Sequence, residues 1–249
     1  MKIKSNHIKP KFKKKYIPKV GLLALSTDLT IEKDFNSICN NLPLDIFVNR
    51  IHNENPLTKE NLLKMYKKIK PITEKILPGE KINTVAYGCT SGTIAIGEDK
   101  VKAEVQLAKP QCYVTTPITS AIKAFKLMNI KKIAVFTPYP ESVNKTIYDY
   151  FSKKNIEVLS FGTFNLELDS DFANIDPEYL SETLIKLNTS GADALFISCT
   201  ALPALELINK VEQKINKPVF SSNQTLIWDT IRSVGYKNEI QGYGQLFKK

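Results

Sequence analysis

The sequence predicts an α/β protein of two pseudo-symmetric Rossmann-like lobes, each with a mainly parallel sheet, and a functional site between the lobes. Two observations indicate this fold class. Short apolar runs, typical of buried parallel strands, alternate with stretches whose apolar residues recur every three or four positions, as on one face of a helix. The same order of elements then occurs twice along the 249 residues, which indicates a duplicated unit.

Matching strands define the repeat. A strand is predicted at residues 20–28 in the first half and at 132–139 in the second. About sixty residues after the start of each, another predicted strand ends in a cysteine–threonine pair, Cys89–Thr90 and Cys199–Thr200. A Lys-Pro dipeptide then precedes a third strand in both halves. Three matches in the same order indicate a duplication.

The limits of the lobes follow from this repeat. The first lobe is expected to comprise residues 19–115 and 223–249, because the last helix should return to it, and the second lobe residues 116–222. Residues 1–18 are expected to form a flexible basic arm. Helices are predicted between the strands over 59–69, 120–128, 143–153 and 177–189.

The positive charge is concentrated at one end of the chain. The formal net charge is +10, but residues 1–19 hold eight lysines and no acidic residue, so the other 230 residues carry only +2. A nearly neutral body argues against a nucleic-acid partner, with the arm as the only candidate contact. Neither a membrane span nor a secretory signal is predicted, so a cytoplasmic protein is expected. Whether it forms a homo-oligomer is left open.

The histidine and cysteine content limits the chemistry. Only His7 and His52 are present, and the four cysteines lack the C-x-x-C spacing of zinc and redox sites. No metal site is therefore predicted. Cys39 and Cys112 have no counterpart in the repeat and are expected to be packing residues.

A site is predicted beyond the carboxyl ends of the strands, where ligands bind in open α/β sheets. Asp28, Cys89, Tyr139 and Cys199 all fall there. Two similar lobes would place Cys89 and Cys199 on opposite faces of one substrate, so that one could remove a proton and the other supply one. A helix predicted after each cysteine would offer backbone N–H groups and a dipole that favour a thiolate or a bound carboxylate.

The side chains near the two cysteines are predicted to bind the substrate. Thr90, Ser91 and Thr200 would hold a carboxylate, and Tyr139 would act as a phenolic donor. Asp28 would orient a substrate nitrogen or support Cys89, with a helix cap or a turn as the alternative role. The candidate substrate-binding residues are Asp28, Thr90, Ser91, Tyr139, Asp169, Thr200 and Ala201.

At these residues the sequence resembles the aspartate/glutamate racemase superfamily, and within it the maleate isomerase and arylmalonate decarboxylase branch. The resemblance covers nearly everything after residue 18. It implies two Rossmann-like lobes, no metal, no pyridoxal phosphate or other cofactor, and a cysteine pair in the cleft between the lobes. The motifs that carry the resemblance are Gly88-Cys-Thr-Ser-Gly-Thr93, Phe136-Thr-Pro-Tyr139, Ser198-Cys-Thr-Ala-Leu202 and Ser222-Asn-Gln224. Ectoine-utilisation proteins look closest at the last two of these four.

Carried onto this chain, the resemblance makes Cys89 the nucleophile, Cys199 the opposing proton donor and Tyr139 a substrate contact. Decarboxylases keep only the second cysteine, so the presence of both disfavours simple decarboxylation. Where maleate isomerases bind a carboxylate with asparagine, this chain has Asp28 and Asp169. Two carboxylates there would repel a dicarboxylate by on the order of several kcal/mol, which favours a substrate with a cationic nitrogen.

The leading hypothesis is a cofactor-independent racemase or isomerase that transfers a proton at carbon in a small carboxylate, amino or amide bearing. Within the family, the alternatives are a maleate cis–trans isomerase with Cys89 as covalent nucleophile and an arylmalonate decarboxylase-like enzyme. Outside it, the alternative is a non-catalytic small-molecule-binding protein. Ala201 stands where amino-acid racemases carry a histidine, which argues against glutamate racemase activity.

Overall fold

A computed structural model describes residues 7–12 and 16–249 and shows two four-stranded parallel sheets flanked by helices. The first sheet has the order β2-β1-β3-β4, with β1 (Lys19–Leu25), β2 (Asp45–Ile51), β3 (Thr84–Gly88) and β4 (Tyr113–Thr115). The second has the order β6-β5-β7-β8, with β5 (Lys132–Thr137), β6 (Glu157–Thr163), β7 (Ala194–Ile197) and β8 (Val219–Ser221). The two orders correspond strand for strand, which confirms the predicted duplicated α/β fold.

Helices connect the strands and cover both faces of each sheet. The predicted helix over 59–69 is divided in two at Met65, and the one predicted from residue 120 begins earlier, at Pro117, because Thr116 caps it. The α-helices are α1 (Ile31–Cys39), α2 (Lys59–Lys64), α3 (Tyr66–Glu74), α4 (Thr90–Ile96), α5 (Glu98–Ala108), α6 (Pro117–Leu127), α7 (Glu141–Lys153), α8 (Asp169–Ala173), α9 (Pro177–Lys186), α10 (Ile208–Ile215) and α11 (Ser222–Ser233). Short 3-10 helices span Leu205–Leu207 and Gln245–Lys248.

The strands whose sequences are continuous apolar runs are the ones that are buried in the sheets. The central strands β3 and β7 are buried along their whole length, and β1 and β5 are buried beyond their first residue. The outer strands β2 and β6 are partly exposed and carry polar residues. The carboxyl ends of the central strands are therefore held by the best-packed parts of the two sheets.

Two helices pack on a different sheet from the one that they follow in the chain. Helix α6 follows β4 of the first sheet but packs on the second, where the Phe125 ring centroid lies 5.7 Å from that of Phe196 and 5.1 Å from that of Phe220. Helix α11 follows β8 of the second sheet but packs on the first, where Thr230 and Thr115 share a hydroxyl–hydroxyl hydrogen bond of 2.8 Å. The last helix thus contacts the first sheet, while the predicted lobe limits stay a prediction.

The predicted flexible arm over residues 1–18 includes residues 1–6 and 13–15, which lie outside the described residues. Tyr16, just before β1, donates a hydrogen bond from its hydroxyl to Asn83 Oδ1 at 2.8 Å. In the part of the chain that the structure describes, no helix is long and apolar enough to cross a membrane.

Candidate active site

The carboxyl ends of the central strands bring the predicted site residues together. Cys89 follows β3 and Cys199 follows β7, while Asp28 and Tyr139 follow β1 and β5. All four side chains and that of Asp169 are at most 4% exposed. The two carboxyl groups lie near enough to both thiols to raise the pKa of each. These five side chains form one buried cluster, and their roles stay predictions.

Cys89 occupies the N-cap of α4. Its Sγ accepts a hydrogen bond from the backbone N–H of Gly92 at 3.2 Å and lies 3.8 Å from Ser91 Oγ. A Cβ at position 92 would lie 2.7 Å from this sulfur, so glycine is required for the close approach. Burial outweighs both bonds and raises the pKa of Cys89 to about 12, so the thiol is protonated at neutral pH.

Cys199 does not start a helix, and the predicted helix after it is wrong. The chain stays irregular up to the 3-10 helix at Leu205. The first helical bond would run from the N–H of residue 203 to the carbonyl of Cys199, but residue 203 is proline and has no N–H. Instead, Sγ of Cys199 accepts the N–H of Ala201 at 3.3 Å.

The Tyr139 hydroxyl lies beside the Cys199 thiol. Burial raises the pKa of Cys199 well above its ordinary value, the Asp169 carboxyl raises it further, and the Tyr139 hydroxyl partly opposes the rise. Burial likewise raises the pKa of Tyr139. Both cysteines are therefore neutral thiols in this structure.

The hydroxyls of Thr90 and Thr200 link the two cysteine motifs. Thr90 Oγ1 is 2.8 Å from Ser222 Oγ, and Ser222 Oγ accepts the backbone N–H of Cys199 at 3.0 Å. Thr200 Oγ1 donates to the carbonyl oxygen of Gly88 at 3.4 Å. Both hydroxyls thus bond within the protein, so their role in holding a substrate carboxylate stays a prediction.

Asp28 has one satisfied and one free carboxyl oxygen. Oδ1 accepts the N–H groups of Thr30 at 2.8 Å and Ile31 at 2.9 Å, so this oxygen forms a turn just before α1, as in the turn alternative, while Thr30 is the N-cap residue. Oδ2 is buried and has no hydrogen-bond partner among residues 7–12 and 16–249. Burial raises the pKa of Asp28. The nearby Thr200 hydroxyl opposes this rise. Oδ2 can therefore accept a proton or a hydrogen bond from a thiol or a substrate.

Asp169 begins α8, which follows β6, and faces the loops after β1 and β2. Its Oδ2 accepts hydrogen bonds from the Thr27 hydroxyl and from Asn53 Nδ2, the latter at 3.0 Å. Burial raises the pKa of Asp169, and both bonds oppose the rise. Thr27 and Asn53 were missed from the sequence, although both follow strands and the strand-end rule could have found them.

A third acid, Asp34, lies behind the Cys199 loop. Asn223 Nδ2 donates to Asp34 Oδ2 and to the carbonyl of Thr200, both at 2.7 Å. Burial raises the pKa of Asp34 to about 7. Its spacing in α1 places it on the apolar face with Ile31 and Phe35, and this unusual position for an acid was the signal that could have identified it.

The three buried acids near the cysteines, Asp28, Asp34 and Asp169, form no salt bridge with any lysine or arginine that the structure describes. Within the same residues, no three His, Cys, Asp or Glu side chains are placed to hold a metal ion. A thiol beside a carboxyl group can transfer a proton, and as a thiolate it can add to carbon.

Known proteins resemble this chain in sequence and in fold. The maleate isomerase of Geobacillus stearothermophilus is 23% identical over 244 residues, 92% of this chain and 96% of that protein. The maleate isomerase of Alcaligenes faecalis is 25% identical over 178 residues, 68% and 70% of the two chains. Maleate cis–trans isomerase of Nocardia farcinica, solved as a cysteine-to-serine mutant with a covalently bound succinylcysteine intermediate, has the same fold, with a TM-score of 0.86, 17% identity and coverage of 94% and 99%.

The family model for arylmalonate decarboxylase matches residues 98–247, which is more than half of the chain. Cys199 lies inside the matched segment and Cys89 precedes it. The resemblance to this branch is confirmed, whereas particular closeness to ectoine-utilisation proteins stays a prediction. The chain belongs to the arylmalonate decarboxylase family.

Proposed function

We propose that the protein is a cofactor-independent isomerase that uses Cys89 and Cys199 to move a proton at carbon in a small carboxylate. The observation that carries this proposal is the equivalent placement of the two thiols. Each follows the matching central strand of one sheet, and each sulfur accepts a backbone N–H, from Gly92 at 3.2 Å and from Ala201 at 3.3 Å. Two such thiols in one buried cluster can act on opposite faces of a substrate.

The first step requires a thiolate. Asp28 Oδ2 has no protein donor in the described part of the chain, so as a carboxylate it can accept the Cys89 proton. The Cys89 thiolate then removes the proton next to the substrate carboxylate, and the electron pair passes into that group as an enolate. Cys199 donates its proton to the opposite face of the carbon. The product is the inverted acid, Cys89 is again a thiol, and Cys199 is left as a thiolate. Transfer of the proton held on Asp28 to Cys199 then restores the starting state.

The charge of the cluster bears on the substrate. Asp28 and Asp169 have no salt-bridged cation in the described residues, so as carboxylates each would repel a dianion. At an effective dielectric constant near 20, one such contact at about 4 Å costs about 4 kcal/mol. An ammonium or amide N–H beside the substrate carboxylate would instead bond to the free Asp28 oxygen. This supports an amino- or amide-bearing substrate.

Maleate-type cis–trans isomerisation is the second candidate. The fold is shared with an isomerase that holds a covalent succinylcysteine intermediate, and burial raises the pKa of Asp28 and Asp169. A protonated acid carries no charge and donates a hydrogen bond, as an asparagine does. The Cys89 thiolate would add to one alkene carbon, Cys199 would protonate the other, the new single bond would rotate, and loss of that proton and of the thiolate would give the trans diacid.

Proton NMR in D₂O tests both candidates. The panel contains maleate, arylmalonates, amino acids, diaminobutyrate derivatives and ectoines. Loss of an α-proton signal supports proton transfer, whereas fumarate from maleate supports the second candidate. Cys89→Ser and Cys199→Ser should each lower turnover at least a hundredfold, and Cys112→Ser, an equally buried cysteine outside the cluster, should not. Full turnover in either single variant would contradict the proposal.

A further inference from the structure

We infer that Ser222 is a positioning residue that holds the backbone of Cys199 at a set distance from the Cys89–Thr90 motif; the inference rests on the function proposed above. Its hydroxyl oxygen accepts the N–H of Cys199 at 3.0 Å and is hydrogen-bonded to Thr90 Oγ1 at 2.8 Å. The side chain is fully buried. One hydroxyl group therefore contacts both cysteine motifs.

Cys199 has no helical hydrogen bonds that fix its backbone, unlike Cys89. Cys89 lies at the start of α4, where its carbonyl accepts the N–H of Thr93 at 3.1 Å and the hydroxyl of the same residue at 2.6 Å. Cys199 lies in an irregular loop, since Pro203 cannot donate the corresponding helical bond. The bond to Ser222 anchors the Cys199 N–H in place of a helical frame.

The other lobe has no equivalent of this hydroxyl. Ser222 is the first residue of α11 after β8, and the matching first residue of α6 after β4 is Pro117. The N–H of Cys89 donates instead to the carbonyl of Tyr87 at 3.0 Å. Nor does α11 need Ser222 as a cap, because Ser221 already forms a capping box with Gln224. The Ser222 hydroxyl is thus not used in capping and bonds to both cysteine motifs.

These contacts close a ring around the two cysteines. From Thr90 the ring passes through Ser222 to the N–H of Cys199, and from Thr200 it returns to the carbonyl of Gly88 at 3.4 Å. The ring ties each cysteine motif to the opposite one. Loss of the Ser222 hydroxyl opens the ring on one side and leaves the buried Cys199 N–H without its acceptor. The Cys199 sulfur then loses its set position relative to substrate.

The test compares Ser222→Ala with Thr230→Val. Thr230 is a matched control because it lies on the same helix, is fully buried, and has a hydroxyl–hydroxyl bond of the same 2.8 Å length, to Thr115, away from both cysteines. Ser222→Ala should lower kcat about tenfold, equivalent to about 1.4 kcal/mol in the barrier, with KM changed less than twofold. Thr230→Val should leave kcat within twofold, while both variants lower Tm by a few degrees.

Two further readouts separate positioning from a general loss of stability. Ser222→Thr, which keeps the hydroxyl, should recover most of the kcat lost in Ser222→Ala. Iodoacetamide labelling followed by mass spectrometry needs no substrate, and Ser222→Ala should raise the labelling rate of Cys199 several-fold while that of Cys89 changes little. Labelling thus tests Ser222 even if every substrate in the panel is inert. Equal kcat losses in Ser222→Ala and Thr230→Val, or unchanged Cys199 labelling, would overturn the inference.

Discussion

Replacing Asp34 with asparagine should remove the contribution that this one carboxyl makes to the pH dependence of folding stability. Burial raises the pKa of Asp34 from 3.8 to about 7, with the carboxyls of Asp28 and Glu206 adding to the rise and the Lys33 ammonium opposing it. Between these two values the folded state binds a proton that the unfolded state has lost. The contribution of Asp34 to stability is therefore fully present below about pH 4 and is lost as the pH rises to about 7. At about 1.4 kcal/mol per pKa unit, the fall is about 4 kcal/mol.

Asparagine reproduces the neutral acid, because its amide oxygen can accept the 2.7 Å bond from Asn223 Nδ2. Asp34→Asn and the parent should therefore have similar free energies of unfolding near pH 4, while the variant should be more stable by up to about 4 kcal/mol at pH 8. Urea unfolding at half-unit pH steps gives the difference directly. Asp34→Ala is the control, since it removes the acceptor and should be less stable than Asp34→Asn at every pH. A difference between Asp34→Asn and the parent that does not change with pH would refute the reasoning.

Three other predictions concern single side chains. Tyr139→Phe removes the hydroxyl that lowers the pKa of the Cys199 thiol. The limb of the kcat/KM–pH profile that reports this thiol should therefore move to higher pH. Gly92→Ala places a Cβ 2.7 Å from Cys89 Sγ and 2.8 Å from Met65 Cε, so turnover should fall more than tenfold and urea unfolding should show a loss of about 1–3 kcal/mol. Phe125→Ala should cost about 3–5 kcal/mol in the same assay while KM stays within twofold, because this ring lies in the aromatic core of the second sheet, away from the cysteines.

The fold could be predicted from sequence because duplication repeats a signal that is weak in a single copy. Each apolar run alone could be a buried strand or part of a helix, but the same order occurring twice, with Cys89–Thr90 matching Cys199–Thr200, favours two parallel sheets. The same symmetry gave a wrong prediction at the second cysteine. A helix is predicted after Cys199 because one is predicted after Cys89, although Pro203 excludes the first helical hydrogen bond. Local chemistry outweighs a repeat wherever the two copies differ.

Parts of the site could not be predicted because they depend on contacts between distant segments. Asn53 reaches Asp169 across 116 positions, and Asn223 reaches Asp34 across 189. Such bonds leave no periodicity and no short motif. Ser222 stood in a motif quoted for the family resemblance, but its role follows only from the proximity of Thr90 and the N–H of Cys199.

The differences between the two lobes bear on how the two cysteines divide the chemistry. The N-cap position on α4 and the N–H of Gly92 favour negative charge on Cys89. Burial outweighs both and raises the pKa of this thiol to about 12. Cys199 does not start a helix and lies beside the Tyr139 hydroxyl, whose own pKa is raised by burial. For one enantiomer Cys89 should therefore remove the proton and Cys199 supply one, and for the other enantiomer the two roles are exchanged, so the two directions should have different rate-limiting steps. Solvent-deuterium incorporation measured separately from each enantiomer should be unequal, and equal incorporation would mean that the two thiols act interchangeably despite their different surroundings.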